Sequence, residues 1–311
     1  MTGLTGSAGC FDAILPYIVT ILLISSIYAI FALGLNLEWG FTGLLNFGHV
    51  AFFAIGAYTT VLLNLWGCPL VLSIIAGVAL AGFFGFLLGI PTLRLRVDYL
   101  AIVTIGFSEV LRFILLNEEW LTRGPFGVYG FERPFQDVIP YQHYNTFLLI
   151  LYVAILVAIY ASLERLMHSP WGRVLKSIRE DESVPSALGK NVFWYKIQSL
   201  MLGSAIAGLA GVLLAFYLQY VSPATFKPIE TFHAWIIIIL GGTASNRGTI
   251  VGALILWTFF SGTKFISRLV PLESHQMGAF RMIVIGLLLM LLMMYKPEGI
   301  FGKKEELALS D

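Results

Sequence analysis

Long stretches without Asp, Glu, Lys or Arg dominate this chain. The longest such runs are residues 13–37, 39–93, 138–163 and 197–226. A helix needs about 20 apolar residues to cross the hydrocarbon core of a bilayer. The run 39–93 is long enough for two crossings, with a turn expected at Gly67-Cys68-Pro69. These four runs alone therefore predict five membrane-spanning helices.

The remaining apolar stretches are shorter or interrupted. Residues 99–117 contain only Glu109 and Arg112 as charged residues, and 231–246, 248–263 and 282–295 contain none. The break between 231–246 and 248–263, around Gly241-Gly242, is either a turn at the membrane edge or an irregular stretch inside it. An all-α, polytopic transmembrane helical bundle of about eight or nine crossings follows from the pattern.

Lys and Arg are concentrated in three connecting segments, which predicts their side of the membrane. The segment 164–196 carries six of them, the loop 91–98 carries Arg94 and Arg96, and the tail 296–311 carries three. All three segments are expected in the cytoplasm. Nine crossings, with the amino terminus outside and the carboxyl terminus in the cytoplasm, satisfy this rule, and 118–145 then forms a small extracytoplasmic cap.

Composition agrees with a lipid environment and excludes several classes of protein. Hydrophobic residues make up 58% of the 311 residues and charged residues 12%, whereas soluble domains carry about a quarter charged residues. The net charge of +1 gives no basis for nucleic-acid binding. Two cysteines, Cys10 and Cys68, exclude a disulfide scaffold and offer no metal cluster. No basic residue precedes the first apolar run, so we interpret that run as a retained membrane helix and not a cleaved signal.

The segment 164–196 has a pattern of its own. Trp171, Val174, Leu175 and Ile178 are spaced as one apolar face of a helix. The acidic residues after them, with Ser183 and Pro185, predict a second short helix that Gly189 ends. An apolar helical face in a loop needs a groove to cover it, either in a partner protein or at the bilayer surface.

Five segments resemble the branched-chain amino-acid ABC permease family, more its LivM type than its LivH type. The resemblance as a whole runs from about residue 15 to 302. They read GLNLEWGFTGLLNFGHVAFFAIGAYTTVLL (34–63), YLAIVTIGFSEVLRFIL (99–115), GRVLKSIREDESVPSALGKNVFWYKIQSLMLGSAIAGLAG (172–211), LGGTASNRGTIVGALIL (240–256) and YKPEGIFG (295–302). One departure is Arg123, where the family commonly has glycine. The resemblance implies a single transmembrane permease domain over 1–311, with 164–196 as the cytoplasmic coupling loop.

The resemblance also implies the partners and the cellular location. Family members import amino acids with ATP-hydrolysing subunits, a second and often different permease subunit, and a periplasmic binding protein, in the bacterial inner membrane. This chain contains no G-x-x-x-x-G-K-[ST] phosphate loop, so hydrolysis is assigned to a partner and not to this chain. The coupling pattern falls on Arg179, Glu182, Ala187, Leu188 and Gly189. No cofactor or metal is implied.

Candidate residues for the translocation path carry two interpretations each. Asn46, Gly48 and His49 lie in a small, mildly polar stretch that either lines the path or allows close helix packing. Glu109 and Arg112 are three residues apart on one helix face, which suits a structural ion pair or a polar gate.

The cargo is left open by the sequence. An importer of branched-chain or other neutral amino acids agrees best with the resemblance, and permeases for urea or short amides have similar sequences. An ion-coupled secondary transporter is the hypothesis from a different class. It would need acids inside the membrane, and Glu109 is the only acid well inside an apolar run.

Overall fold

The computed structural model describes residues 5–93, 97–136, 138–269, 278–280, 283–284, 286–287, 290, 294–295 and 299–302. Its main elements are α1 (Thr5–Leu35), a π turn (Asn36–Gly40), α2 (His49–Leu65), α3 (Leu70–Thr92), α4 (Val97–Asn117), α5 (Glu119–Thr122), β1 (Val128–Tyr129), α6 (Tyr141–His168), α7 (Pro170–Glu180), α8 (Ser183–Ala187), α9 (Val192–Leu218), β2 (Tyr220–Val221), α10 (Ile229–Gly241) and α11 (Asn246–Leu269). The predicted loop residues Arg94 and Arg96 and the tail 303–311 lie outside the described residues, as does most of 270–298.

The chain forms a helical membrane bundle, as the apolar runs predict. Five of its helices are long and apolar enough to span a bilayer, and the bent pair α10–α11 would make a sixth span if it were counted as one. The described helices therefore confirm the class of fold and not the number of crossings. The run 231–263 is divided by a turn at 242–245, across which the helix direction changes by 117°.

Two helices, α1 and α9, form the centre of the bundle. Both are surrounded by other helices, whereas α3, α4 and α6 leave most of their surface uncovered. The exposed side chains of α3 and of the middle of α6 (147–160) are apolar, among them Val71, Ile75, Phe83, Ile150 and Val157. Such surfaces suit lipid.

Glycines allow α9 to approach its neighbours with its backbone. A Cβ atom at Gly56 would overlap the backbone of Gly208, and one at Gly211 would overlap the carbonyl oxygen of Phe53. Small residues that bring helix backbones into contact are common at helix interfaces in membranes. The glycines of 40–57 and 203–211 therefore have a packing role.

Two stretches of buried chain are not helical. After the π turn, residues 41–48 run back along α1, and α2 begins only at His49, whose Nε2 lies 3.2 Å from the carbonyl oxygen of Phe31. At about 1.5 Å per helical residue, this start lies roughly 13 Å inside the end of the π turn at Gly40. The first of the two helices expected in 39–93 therefore begins ten residues after the start of that run.

The second stretch precedes α10. A two-residue strand pair, Val128–Tyr129 with Tyr220–Val221, joins 118–140 to the end of α9. The chain then continues through a 3₁₀ turn at Pro223–Thr225 and starts α10 at Ile229. Glu230 accepts a hydrogen bond from Tyr28, which is at the middle of the apolar span Leu15–Gly40. Both α2 and α10 thus begin beside residues 28–31 of α1, inside the apolar span Leu15–Gly40.

Candidate functional site

The amino-terminal ends of α2 and α10 meet in the middle of the bundle. The backbone N–H of Val50 donates to the Thr231 hydroxyl at 3.0 Å, and both residues are buried. From this point α10 runs towards the π turn, where the Ala244 N–H donates to Asn36, and α2 runs the other way. Helix amino termini favour negative charge, and discontinuous helices with such ends are typical of transporter binding sites. This meeting point is the candidate site.

A fully buried acid, Glu38, lies beside the start of α2. Its Oε2 accepts a hydrogen bond from Asn46 Nδ2 at 2.7 Å and lies 3.3 Å from His49 Nδ1. Its Oε1 has no hydrogen-bond partner among the described residues and packs against Gly203 of α9. The side chains of Glu38, Asn46 and His49 are all inaccessible to solvent.

His49 links the start of α2 to α1 and to Glu38. Its Nε2 faces the Phe31 carbonyl oxygen, which only accepts, so Nε2 carries hydrogen and donates. Its Nδ1 has no hydrogen-bond partner among the described residues and lies 3.3 Å from Glu38 Oε2.

A second Glu–His pair lies at the start of α10. Glu230 Oε2 accepts from the Tyr28 hydroxyl at 2.5 Å and lies 3.1 Å from His233 Nδ1. The rings of Trp257 and Phe260 surround this group, with Tyr28 and Trp257 4.6 Å apart and His233 and Phe260 5.3 Å apart. The Glu230 and His233 side chains are 18% and 12% exposed. A carboxylate within aromatic rings is suited to bind an ammonium group.

Aromatic side chains line the edge of the partly exposed side of α10 that lies opposite Glu230 and His233. Phe47 of the extended segment packs on Phe232 and Trp235, at ring distances of 5.7 and 4.9 Å. The Phe47 N–H donates to Thr104 of α4 at 3.1 Å, so the segment 41–48 lies between α4 and α10. We call this surface, with Phe47, Phe232 and Ile236 at one side and Glu230 and His233 at the other, the α10 face.

Glu109 and Arg112 form an ion pair on α4. Arg112 Nη2 donates to Glu109 Oε2 at 2.7 Å and Arg112 Nε to Oε1 at 3.1 Å, while the side chains are 19% and 32% exposed for Arg112 and Glu109. Phe107, which packs on α3, is about 200° away from Glu109 around the helix. The pair therefore lies on the side of α4 away from α3, separate from the buried Glu38 group.

Replacing Glu109 or Arg112 singly is expected to destabilise the protein more than replacing both. A single replacement leaves one charge unpaired in an apolar setting, whereas the pair of neutral residues leaves none. We expect an interaction energy of about 1–2 kcal/mol in a double-mutant cycle of Glu109→Leu and Arg112→Leu. Thermal unfolding in detergent measures this energy, and additive losses would contradict the pairing.

The expected coupling residues divide between two surfaces. Glu182, Ala187, Leu188 and Gly189 are exposed on and beside α8, with Val184 and Leu188 50% and 75% exposed. Arg179 instead points inwards, and its Nη1 donates to the carbonyl oxygen of Gly40. Glu182 pairs with Lys196 at the start of α9, and the Ser183 N–H donates to Asp181 and so lowers the pKa of that carboxyl.

The apolar face of α7 needs no external groove. Leu175 and Ile178 are buried in the main core, with Trp171 and Val174 packed against it. The chain itself therefore covers this face. The sequence had suggested that either a partner protein or the bilayer surface would cover it. The ending of α8 is as predicted: Gly189 has φ +74° and its N–H donates to Ser186.

The structure brings Asn46, Gly48 and His49 together and adds two acids that sequence reasoning missed. Glu38 and Glu230 each border an uncharged run, and neither was among the predicted site residues. Glu38 is fully buried and the Glu230 side chain is 18% exposed, so Glu109 is not the only acid well inside the bundle. One signal was available: Glu38 separates two uncharged runs with no glycine, proline or basic residue between Asn36 and Trp39. Cys68 is a free thiol, and the Cys10 side chain lies outside the described part.

These features define a helical membrane transport protein with discontinuous helices at its centre. Residues 17–293 match the family described as branched-chain amino acid transport system / permease component, and the chain belongs to this family.

Three relatives illustrate the similarity. The high-affinity branched-chain amino acid transport system permease protein LivM of Escherichia coli (strain K12) is 34% identical, over 91% of this chain and 69% of the relative. A probable branched-chain amino acid transport permease protein LivM of Methanocaldococcus jannaschii is 27% identical over 91% and 93%. The LivH permease protein of E. coli (strain K12) is 25% identical over 91% and 93%. No solved structure matches the chain.

Proposed function

We propose that this chain is the membrane-spanning subunit of an ATP-driven importer of branched-chain amino acids, with ATP hydrolysed by a partner. Family membership supports the class of transporter, and the names of the relatives support the cargo. The observation that carries the proposal is the meeting of α2 and α10 beside residues 28–31 of α1, with Glu230 partly exposed next to it. The chain acts in the bacterial inner membrane and crosses it nine times, with the carboxyl terminus in the cytoplasm.

The α10 face is the side that meets the translocation path and a second permease subunit. Charged or titratable groups at membrane depth are stable only towards protein or water. Two pairs of titratable groups therefore need protein or water beside them. One is Glu230 with His233 at one edge of α10, and the other is Glu109 with Arg112 beyond its opposite edge. The apolar surfaces of α3 and of the middle of α6 (147–160) face lipid instead.

The chemistry of the α10 face fits a neutral amino acid better than urea. Glu230 Oε1 has no hydrogen-bond partner among the described residues, so it is available for an ammonium group. The rings of Tyr28, Trp257 and Phe260 would surround that cation. Phe232 and Ile236 offer apolar surface for an aliphatic side chain. Urea carries no charge for Glu230 to pair with.

Reconstitution tests the proposal. The tagged chain is purified from native membranes in mild detergent together with its partners and placed in liposomes. We expect an ATPase and a second permease to co-purify, and uptake of labelled leucine that requires ATP and a binding protein. Uptake of urea in place of leucine would overturn the cargo. Transport by the chain alone, driven by an ion gradient, would overturn the class of transporter.

Glu230→Gln is expected to lower leucine uptake about tenfold, since an amide cannot pair with an ammonium group and a charge-assisted hydrogen bond contributes about 1.5–3 kcal/mol. Assembly with the ATPase should be unchanged. Glu119→Gln, an exposed acid in the short helix α5, is the control and should transport like the wild type. Equal uptake by Glu230→Gln and the control would remove Glu230 from the path.

A further inference from the structure

Four elements converge on the π turn Asn36–Gly40. On the side of the coupling loop, Arg179 donates to the Gly40 carbonyl oxygen and its main chain passes close to Gly43. On the side of the bundle centre, Glu38 contacts Asn46 and His49 before α2. A π turn within a helix is rare and often marks a functional site.

The other two contacts hold the turn from the sides. Asn36 donates to Asn246 at 3.2 Å and accepts from the Ala244 N–H at 3.2 Å, which ties the turn to the α10–α11 connection. The Thr42 and Ser199 hydroxyls lie 2.7 Å apart and 3.0 and 3.2 Å from the Leu37 carbonyl oxygen. Their two hydrogens are shared among these three contacts, which tie the turn to α9. A displacement of the coupling loop therefore reaches α2, α9 and α10 through these five residues of backbone.

Glu38 is the side chain that joins this turn to the candidate site. Its Oε2 holds Asn46, whose carbonyl oxygen accepts from Trp235 of α10 at 3.4 Å, and it pairs with His49, the first residue of α2. Its Oε1 is buried and unpartnered among the described residues. A buried carboxyl oxygen without a hydrogen-bond partner is costly in this arrangement, so a different position of the turn could give it a partner.

We propose that the π turn passes movement of the coupling loop to the translocation path, and that Glu38 is the positioning residue that makes the turn and the start of α2 move together. This inference rests on the proposed function, because it requires a partner ATPase that moves the coupling loop. Glu38 touches no substrate in this arrangement. It acts through Asn46, His49 and the helix that begins there.

The test uses the complete complex in liposomes, with leucine uptake and ATP hydrolysis measured on the same sample. Glu38→Gln keeps the shape of the side chain and replaces the carboxyl group beside His49 by an amide. We expect uptake per ATP to fall about tenfold, with ATP hydrolysis and binding of the ATPase within about twofold of the wild type. A change in assembly alone would not alter this ratio.

A double-mutant cycle shows whether Glu38 and Arg179 act through the same π turn or independently. Arg179→Gln weakens the contact with Gly40, and if both residues act through the turn, the double variant is no worse than the worse single variant. The deviation from multiplicative effects should be about three- to thirtyfold. Tyr58→Phe removes a buried hydroxyl of α2 that lies away from the turn and has no hydrogen-bond partner among the described residues. Its effect should multiply with that of Arg179→Gln.

The possible results separate the role of the π turn from the proposed function. If Glu38→Gln does not accumulate, Thr42→Val replaces it in the cycle, since it removes a hydroxyl that holds the other side of the turn. Multiplicative effects, or a wild-type ratio of uptake to hydrolysis in Glu38→Gln, would overturn the inference while leaving the importer intact. Absence of ATP-dependent uptake in the wild type would instead overturn the proposed function.

Discussion

Gly211→Ala is expected to lower the stability of the folded protein strongly. A Cβ atom at this position of α9 would overlap the carbonyl oxygen of Phe53 and come within 3.2 Å of the Ala57 nitrogen. Both obstacles are backbone atoms of α2, so no side-chain rotation relieves them. Overpacking of a well-packed interior costs about 1–3 kcal/mol, and we expect the upper end here. Size-exclusion profiles and thermal unfolding in detergent measure the loss.

Gly106→Ala is the matched control. Gly106 lies within α4, and a Cβ atom there would have no atom within 4 Å among the described neighbours. Alanine is favoured over glycine inside a helix by about 0.5–1 kcal/mol, so this variant should be as stable as the wild type or slightly more stable. A melting temperature for Gly211→Ala equal to that of Gly106→Ala would contradict the close approach of α2 and α9.

Features of the fold that depend on interactions between residues close in sequence were predicted well, and features that depend on distant residues were not. The coupling loop was predicted closely because its signals are local: the spacing from Trp171 to Ile178 set the helix, and Gly189 set its end. The membrane helices followed equally from apolar runs of sufficient length. Each of these features is decided within a few residues of chain.

Non-local contacts were beyond such reasoning. The place where α2 begins is set by the Val50–Thr231 and His49–Phe31 contacts, which join segments 181 and 18 residues apart. The burial of Glu38 depends on Gly203, which comes from a different helix. The predicted membrane helices were bounded by charged residues, which left Glu38 and Glu230 at their borders. Acidic residues that lie beside histidine are nevertheless compatible with the interior.

The exposed apolar side of α8 provides the second large expected effect. Val184 and Leu188 are one helical turn apart and leave a small apolar surface uncovered next to charged residues. We propose that this surface docks on the ATPase. Replacing both by alanine should weaken association about 10- to 100-fold, as expected when central apolar anchors of an interface are truncated. Co-purification and titration with the purified ATPase measure this change.

The control applies the same truncation elsewhere. Leu72 and Ile75 on α3 are 56% and 58% exposed, on a surface that we assign to lipid. Their replacement by alanine should leave ATPase binding unchanged. If both double variants bind equally well, α8 is not the docking surface.

Gly189→Val should give a different defect from the loss of the apolar anchors. Its φ of +74° lies in the region that favours glycine, and no described atom stands within 4 Å of a Cβ there, so the strain is in the backbone alone. A β-branched residue there costs about 1–2 kcal/mol and would be relieved by turning Leu188 away from its position. The ATPase should then bind and hydrolyse ATP without driving uptake, while membrane insertion stays normal. Uptake at the wild-type level in this variant would show that the angle at which α8 ends does not matter for coupling, and that its apolar side chains alone carry the interaction.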